Sequence, residues 1–334
     1  MEMFQLSRAD GVPDAIAAGA AGVTAQQGAQ VRFLAGGTTL LDLMKLNVER
    51  PVRVIDISRL PLDRIEALPD GGVKIGSTAR NADLALHPLI REPYAVLSQA
   101  LLSGASAQLR NMATTGGNLL QRTRCVYFRD TAMPCNKREP GSGCPAIDGF
   151  NRTLAILGTS DACIATNPSD MNVALTALDA TIHVEGTDGA RSIAIDDFFL
   201  LPGATPQREN VLGAGDLITH VTLPPLPAGT RSVYLKLRDR ASYEFALASA
   251  AVVVTLDGGR IGHVRVALGG VGTRPWHALE AQALLQGATP DAATFRKAAD
   301  AALANAKPQS QNGFKVELAR RCIIHALTQA TATT

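Results

Sequence analysis

The sequence predicts an α+β protein of about two domains, and three observations support this fold class. The chain has 334 residues, whereas a typical domain has roughly 150. A strand–turn–helix–strand order near the N-terminus is typical of a small βαβ unit. The C-terminal part instead has three strands in succession and then three helices, which indicates a sheet with a helical layer.

The βαβ unit spans residues 31–57. Residues 31–34 and 52–57 are short runs rich in β-branched side chains, and residues 40–46 between them repeat apolar side chains at helical spacing. An Ala-rich helix is expected earlier, at 13–25. The elements expected after the unit are a strand at 73–76, a helical stretch at 81–102 that Pro88 and Pro93 interrupt, a helix at 171–177, and strands at 181–185 and 217–223.

The C-terminal elements begin after residues 224–229, a Pro- and Gly-containing stretch that we take as the domain boundary. We therefore expect domains at 1–226 and 227–334, with the first divided into subdomains at 1–57 and 58–226. The expected C-terminal elements are strands at 232–237, 246–256 and 262–268, a hairpin turn at Asp257-Gly258-Gly259, and helices at 276–286, 290–306 and 314–330.

Residues 122–165 have no sustained period and read as one long irregular segment. Irregular segments longer than about 15 residues are usually functional or disordered. Because this segment contains four cysteines, we expect it to be functional.

Composition and charge exclude several classes of protein. Hydrophobic residues make up 46% of the chain and charged residues 19%, which is typical of a globular protein and argues against disorder. The net charge of +2 gives no indication of a nucleic-acid or membrane-surface partner. No apolar run is long enough for a membrane span, and the first residues lack the pattern of a secretion signal. We expect a cytoplasmic protein, or one exported with a partner that carries the signal.

Two glycine turns are candidate ligand sites. Ala35-Gly36-Gly37-Thr38-Thr39 lies between a strand and a helix, where glycine lets a ligand approach and successive N–H groups can bind an anion. Thr114-Thr115-Gly116-Gly117-Asn118 offers the same combination of groups. Neither turn has the Gly-x-Gly-x-x-Gly or Gly-Lys-Ser/Thr pattern of the common nucleotide loops. The pair predicts one ligand with a diphosphate, and ordinary strand–helix turns are the alternative.

Four of the five cysteines, Cys125, Cys135, Cys144 and Cys163, lie within 39 residues. Their spacings of ten, nine and nineteen residues match neither the Cys-x-x-Cys pairs of zinc sites nor the compact ferredoxin run. Four thiolates suit an iron–sulfur cluster, with structural zinc and unrelated free cysteines as alternatives. Cys322 lies on an apolar helix face and is expected in the core. The basic residues expected to offset the thiolate charge are Arg122, Arg124, Arg129, Lys137, Arg138 and Arg152.

Four segments of the chain resemble the FAD-binding subunits of molybdenum hydroxylases, the family of xanthine dehydrogenase and carbon monoxide dehydrogenase. The segments are residues 32–43, residues 108–119, Pro168-Ser169-Asp170 and Lys236-Leu237-Arg238-Asp239-Arg240. The resemblance covers nearly the whole chain. It implies an α+β, two-subdomain FAD-binding fold of the vanillyl-alcohol-oxidase (PCMH) type, followed by a C-terminal domain of the carbon monoxide dehydrogenase flavoprotein type with a three-stranded sheet and helices.

The insertion at about 122–165 resembles one in the FAD subunits of bacterial periplasmic aldehyde oxidoreductases and of 4-hydroxybenzoyl-CoA reductase. Pro134-Cys135-Asn136-Lys137 and residues 161–166 are similar to the aldehyde enzyme in particular. This resemblance implies that the four clustered cysteines bind a [4Fe-4S] cluster.

The resemblance also assigns FAD-binding roles. Asp170 would bond the adenosine, Lys236 would lie near the pyrimidine edge of the isoalloxazine and stabilise charge that develops on reduction, and Ile218 would pack near the flavin. The residues alone also allow simpler interpretations. Asp170 would then be a helix N-cap, Lys236 a surface strand lysine and Ile218 a buried strand residue. The remaining predicted contacts are Leu34, Ala35, Gly36, Gly37, Thr38 and Thr39 around the diphosphate and ribityl chain, and Asn111, Thr114, Thr115, Gly117 and Asn118 from the second segment.

The family resemblance implies an electron-transfer subunit with no catalytic residue for the substrate. A heterotrimer would oxidise an aldehyde to a carboxylic acid at the molybdenum cofactor of a large subunit. A small subunit with [2Fe-2S] clusters would pass the electrons to this FAD, and an external acceptor would remove them. Export by a signal on the small subunit would make the complex periplasmic. The alternatives are the equivalent subunit of a 4-hydroxybenzoyl-CoA reductase-type enzyme and a zinc-stabilised binding module without a redox role.

Overall fold

The computed structural model describes residues 1–332, and its first part is a parallel three-stranded sheet with helices. The elements are β1 (Gln5–Arg8), α1 (Val12–Ala20), β2 (Val31–Leu34), α2 (Leu40–Lys45) and β3 (Arg53–Asp56). The strand order is β1-β3-β2. Because β2 pairs in parallel with β3, the predicted βαβ unit is confirmed.

The second part contains a five-stranded antiparallel sheet and most of the short helices. Its elements are β4 (Ile65–Ala67), β5 (Val73–Gly76), α3 (Asn81–Leu86), α4 (Pro88–Arg91), α5 (Ala95–Ser103), α6 (Ala107–Arg110), α7 (Thr115–Leu119), α8 (Val126–Arg129), α9 (Asp170–Ala177), β6 (Thr181–Gly186), β7 (Gly189–Ala194), α10 (Ile195–Phe198) and β8 (Leu217–Leu223). The strand order is β4-β5-β8-β6-β7. Ile75, Leu97, Leu175 and Val221 are fully or almost fully buried between this sheet and helices α5 and α9.

The third part is a sheet covered by a long helix. Its elements are β9 (Arg231–Leu237), β10 (Ala248–Asp257), β11 (Arg260–Gly269), β12 (Trp276–His277), α11 (Leu279–Leu285), α12 (Ala292–Leu303) and α13 (Phe314–Thr331). Gly258 and Gly259 join β10 to β11 with positive φ angles of 57° and 79°, the conformation that favours glycine in a tight hairpin. The apolar face of α13 packs on the sheet, and Cys322 is buried there as predicted.

Several elements differ from the sequence-based expectations: β4, α6, α8 and α10 were not expected, and α1 ends at Ala20 instead of residue 25. Strand β7 was not predicted because its side chains are nearly all exposed, so it lacks apolar alternation. The C-terminal sheet has four strands instead of three, since the two-residue β12 pairs with β11 inside a stretch predicted to be helical. The second glycine turn begins a short helix, α7.

No helix among residues 1–332 combines the length and apolarity that a bilayer span requires.

Candidate functional site

The first glycine turn, residues 35–39, joins β2 to α2 and presents unused backbone donors. Gly37 has a φ of +75°. A Cβ on Gly36 would lie 1.9 Å from the carbonyl oxygen of Met112, so only glycine fits this contact. Among residues 1–332, no protein acceptor receives the backbone N–H groups of residues 36–39. Open N–H groups just before a helix form a site for an anion.

The second glycine turn uses its backbone donors inside the protein. The N–H of Thr115 donates to the carbonyl of Ala79 at 3.0 Å, and that of Gly116 donates to Ser77 at 2.8 Å. Thr114 is the N-cap of α7, and its hydroxyl accepts from the N–H of Gly117 at 3.2 Å. A Cβ on Gly117 would meet only this hydroxyl, at 3.0 Å, so the open face of Gly117 borders the cleft. The second turn therefore forms a fixed side of the cleft and does not supply free backbone donors to it.

The two turns meet at the middle of one continuous groove. A cleft of about 170 Å³ on one side is lined by residues 34–39, Thr114 and Ile218. A cleft of about 430 Å³ on the other side is lined by Asn118, Asp170 and Lys236. Both clefts include Thr38, Thr39 and Gly117. Of the residues predicted to bind FAD, only Asn111, at the exposed end of α6, and the buried Thr115 line neither cleft within the described chain.

Asp170 and Lys236 form a buried ion pair at one end of this groove. Lys236 Nζ donates to Asp170 Oδ2 at 2.8 Å and to the carbonyl of Ser103 at 3.1 Å. The Tyr234 hydroxyl donates to Asp170 Oδ1 at 2.6 Å, and burial together with the Asp170 charge raises the pKa of Tyr234 well above its usual value. The predicted roles place Asp170 at the adenosine and Lys236 at the isoalloxazine. The ion pair instead brings both side chains to the same end.

The insertion is attached to helix α2 beside the first turn. Asp42 on α2 accepts from Arg129 at 2.8 Å and from Arg124 at 3.1 Å. The hydrogen bond from Arg129 is the largest single influence on Asp42 and lowers its pKa. Leu43 of α2 is buried in the same apolar cluster as Phe128 and the insertion cysteines. The cysteine segment therefore packs against the helix that follows the first glycine turn.

The four predicted cysteine ligands line a single small pocket in the insertion. They are Cys125, Cys135, Cys144 and Cys163, and all are free thiols. The N–H of Ala165 donates to Cys163 Sγ at 3.4 Å. At Cys125, burial raises the pKa of the thiol and the nearby backbone groups of Phe128 and Tyr127 oppose that effect. Backbone hydrogen bonds to sulfur are a feature of iron–sulfur sites, so the donor set fits such a group.

Burial favours the protonated form of three of these thiols, Cys125, Cys144 and Cys163. It raises the pKa of Cys125 to about 12 and raises those of Cys144 and Cys163, although the charge of Lys137 opposes this effect at Cys163. In the part of the chain that the structure describes, no three His, Cys, Asp or Glu side chains are grouped closely enough to hold a metal ion. The prediction of a [4Fe-4S] cluster therefore depends on the shared pocket and the donor chemistry.

A largely buried network of charges between the groove and the insertion was not expected from the sequence. Arg122 bonds to both Glu49 and Glu209, and Lys137 donates to Glu209 at 2.9 Å. Burial alone would raise the pKa of Glu209, but Arg122 and Lys137 lower it to about 2. Glu49 and Glu209 lie outside the family segments and 160 positions apart, and nothing in their sequence context indicates that they share a partner.

Comparisons with known proteins agree with this architecture. A sequence model described as the FAD binding domain in molybdopterin dehydrogenase matches residues 2–226, and one described as the CO dehydrogenase flavoprotein C-terminal domain matches residues 233–330. The chain therefore belongs to the FAD-binding medium subunits of the molybdenum hydroxylase family. The predicted family and fold class are confirmed. The prediction that the chain is an oxidoreductase subunit that binds FAD is confirmed as well.

Individual relatives include subunits of several oxidoreductases. The aldehyde oxidoreductase FAD-binding subunit PaoB of Escherichia coli is 52% identical over 93% of this chain and 95% of its own length. The glyceraldehyde dehydrogenase medium chain of Sulfolobus acidocaldarius is 30% identical over 75% of this chain and 72% of its own. In the solved carbon monoxide dehydrogenase of Hydrogenophaga pseudoflava, a chain superposes with a TM-score of 0.77 at 26% identity, covering 98% of this chain and 97% of that one.

Proposed function

We propose that this chain is the FAD- and [4Fe-4S]-carrying electron-transfer subunit of a molybdenum-dependent aldehyde oxidoreductase. The observation that carries this proposal is the pocket of four free cysteines packed against the helix that follows the first glycine turn. The aldehyde as substrate class rests on the 52% identity to the aldehyde oxidoreductase subunit over nearly the whole chain.

The groove supports one orientation of FAD. Open N–H groups at residues 36–39 suit the diphosphate at the centre of the groove. We assign the isoalloxazine to the larger cleft, because Lys236 there offers a cation and Asp170 a hydrogen-bond acceptor to the pyrimidine edge. The adenosine then belongs in the other cleft with Ile218. This arrangement replaces the expected roles of Asp170 at the adenosine and Ile218 near the flavin.

The chemistry of this chain's residues in that orientation is positioning and electrostatics. When bound, FAD supplies the capacity to accept and release electrons. Lys236 stabilises negative charge at the pyrimidine edge, and the paired Asp170 keeps the ammonium fixed. The apolar side chains around the four cysteines exclude water from the second redox centre.

The remaining parts of the complex are proposed from the family. A large subunit with the molybdenum cofactor oxidises the aldehyde to a carboxylic acid, and a small subunit with [2Fe-2S] clusters passes the electrons to this chain in a heterotrimer. An external acceptor then removes them. We also propose a periplasmic location, reached by co-export with a partner that carries the signal.

Metal and flavin analysis of the purified complex tests the cofactor set. We expect about one FAD and about four iron atoms on this chain beyond those of the partner clusters. Cys135→Ser should lose this iron and keep FAD, whereas Cys322→Ser, a buried cysteine outside the pocket, should keep both. Unchanged iron in Cys135→Ser would refute the ligand assignment. Zinc in place of iron would favour the binding module without a redox role.

Turnover of the complex tests the substrate class. We expect oxidation of benzaldehyde coupled to an artificial electron acceptor. If every aldehyde fails and a CoA thioester is reduced instead, the chain belongs to a 4-hydroxybenzoyl-CoA reductase-type enzyme.

A further inference from the structure

Five charged side chains form a continuous, largely buried chain from the strand before the first glycine turn to the cysteine pocket. Arg32, which immediately precedes the Phe33-Leu34 end of the loop strand, bonds to Glu49 at 2.8 Å. Glu49 accepts from Arg122 at 2.5 Å, and Arg122 also bonds to Glu209. Lys137 Nζ completes the chain with a 2.9 Å bond to Glu209. Three cations and two carboxylates are thus paired in largely buried positions, of which Glu209 is the most exposed at 25%.

Lys137 is the basic residue of the insertion whose side chain lies at the cysteine pocket. It is 7% exposed and lines the pocket together with all four cysteines. Its ammonium also donates to the carbonyl of Pro206 at 2.9 Å, which fixes its position.

The remaining cations of the insertion are engaged elsewhere, contrary to the expectation that all six would offset the thiolate charge. Arg124 and Arg129 bond to Asp42, and Arg122 bonds to Glu49 and Glu209. Arg138 donates to backbone carbonyls, and Arg152 pairs with Asp239 in solvent. Within residues 122–165, Lys137 is the basic side chain that lines the cysteine pocket.

We propose that Lys137, with Glu209 as its opposing charge, sets the reduction potential of the iron–sulfur group held by the four cysteines. This inference rests on the cluster of the proposed function. A buried cation near a redox centre favours its reduced form, which is the more negative one, and burial weakens the screening of that charge. Glu209 partly cancels the cation, so the two side chains act in opposite directions.

Substitutions of Lys137 and Glu209 should shift the reduction potential in opposite directions, which distinguishes an electrostatic role from a structural one. Lys137→Met removes the cation and leaves Glu209 with less compensation, so both changes lower the potential. Glu209→Gln removes the carboxylate and leaves Lys137 uncancelled and Arg122 paired only with Glu49, so it raises the potential. General loosening of the pocket would shift both variants in the same direction.

An EPR-monitored redox titration of the whole complex, together with iron analysis, measures this effect. We expect Lys137→Met to change the ratio of reduced to oxidised cluster at a given potential by about tenfold, which is about 59 mV for one electron. Glu209→Gln should shift it the other way. Lys137→Arg should restore the native value, and the matched control Arg152→Met, which removes an exposed charge from the same insertion, should leave it unchanged.

The outcomes also distinguish this inference from the proposed function. Iron in the wild-type chain with equal potentials in Lys137→Met and the wild type would overturn the role of Lys137 alone. Shifts of the same sign in Lys137→Met and Glu209→Gln would do the same. If Lys137→Met loses its iron, Glu209→Gln decides: a raised potential supports the inference and an unchanged one refutes it. A wild-type chain without iron would overturn both.

Discussion

The two glycine turns of the groove have nearly the same composition but use their backbones differently. The first leaves the N–H groups of residues 36–39 open and presses Gly36 against the carbonyl of Met112. The second donates its N–H groups to Ser77, Ala79 and Thr114 and becomes the start of a capped helix. Composition therefore indicates where a ligand can approach the backbone, but the hydrogen-bond partners decide which turn supplies donors.

The two turns therefore have different roles in the groove. The first turn offers open N–H groups to an anion, while the second forms a fixed wall in which Gly117 has the free space. Substitutions in the two turns should accordingly separate flavin binding from folding.

The largest effect is expected from Gly36→Val in the first turn. A Cβ at this position would lie 1.9 Å from the Met112 carbonyl oxygen, so the first turn must move away from the residues that lead into the second. Overpacking of this kind costs about 1–3 kcal/mol or more, and it also distorts the open N–H groups. We expect less than about a tenth of the native flavin content, measured as the ratio of flavin to protein absorbance, and a lower melting temperature.

Gly313→Ala is the matched control, because a Cβ at Gly313 meets no atom within 4 Å. It should keep native flavin content and stability. Full flavin occupancy in Gly36→Val would show that FAD binding does not depend on the contact between Gly36 and Met112.

The next effect is expected from Gly117→Ala in the second turn. Gly117 lies inside helix α7, where alanine is favoured over glycine by about 1 kcal/mol. The new Cβ would nevertheless project from the open face that borders both clefts. We expect unchanged or slightly higher stability with FAD affinity reduced by about 10- to 100-fold, the equivalent of about 1–3 kcal/mol of steric cost. Flavin titration of the apoprotein measures the affinity, and native affinity would place the ligand elsewhere.

Much of the fold follows from local pattern. The βαβ unit, the hairpin at Gly258 and Gly259 and the amphipathic face of α13 each have a periodicity or a turn residue that the structure reproduces. Strand β7 has neither, since it is an exposed edge strand held by its pairing with β6. Edge strands whose residues face water give no apolar alternation to detect.

The sequence predicted which residues form the candidate site better than it predicted which side chains they bond to. Family segments located Asp170 and Lys236, but their ion pair joins the start of α9 to β9 across 66 positions, a long-range feature. The bonds of Glu209 to Arg122 and Lys137 likewise join residues 87 and 72 positions apart. Charges so distant in sequence carry no local signal of their pairing, so the largely buried network is a tertiary property.

Thr38→Val tests the contribution of a hydroxyl from the first turn. Thr38 lines both clefts at the centre of the groove, where the diphosphate is assigned. Loss of one hydrogen bond of net value about 0.5–1.5 kcal/mol should weaken FAD binding by roughly two- to tenfold. Chemical unfolding of the apoprotein should give the native free energy. A loss of stability with native FAD affinity would assign this hydroxyl to the fold instead.

Thr114→Val should have the smallest effect on FAD binding. Unlike Thr38→Val, it should lower stability and leave FAD affinity nearly unchanged. The Thr114 hydroxyl caps α7 by accepting from the N–H of Gly117, and valine keeps the shape without the acceptor. Loss of an N-cap costs about 1 kcal/mol, so the free energy of unfolding should fall by this amount while FAD affinity stays within about twofold. Asp291→Ala, which removes the cap of α12 outside the groove, should match that loss of stability with no change in affinity. If Thr114→Val instead weakened FAD as strongly as Thr38→Val, its hydroxyl would be a ligand contact, and the division between a donating first turn and a supporting second turn would fail.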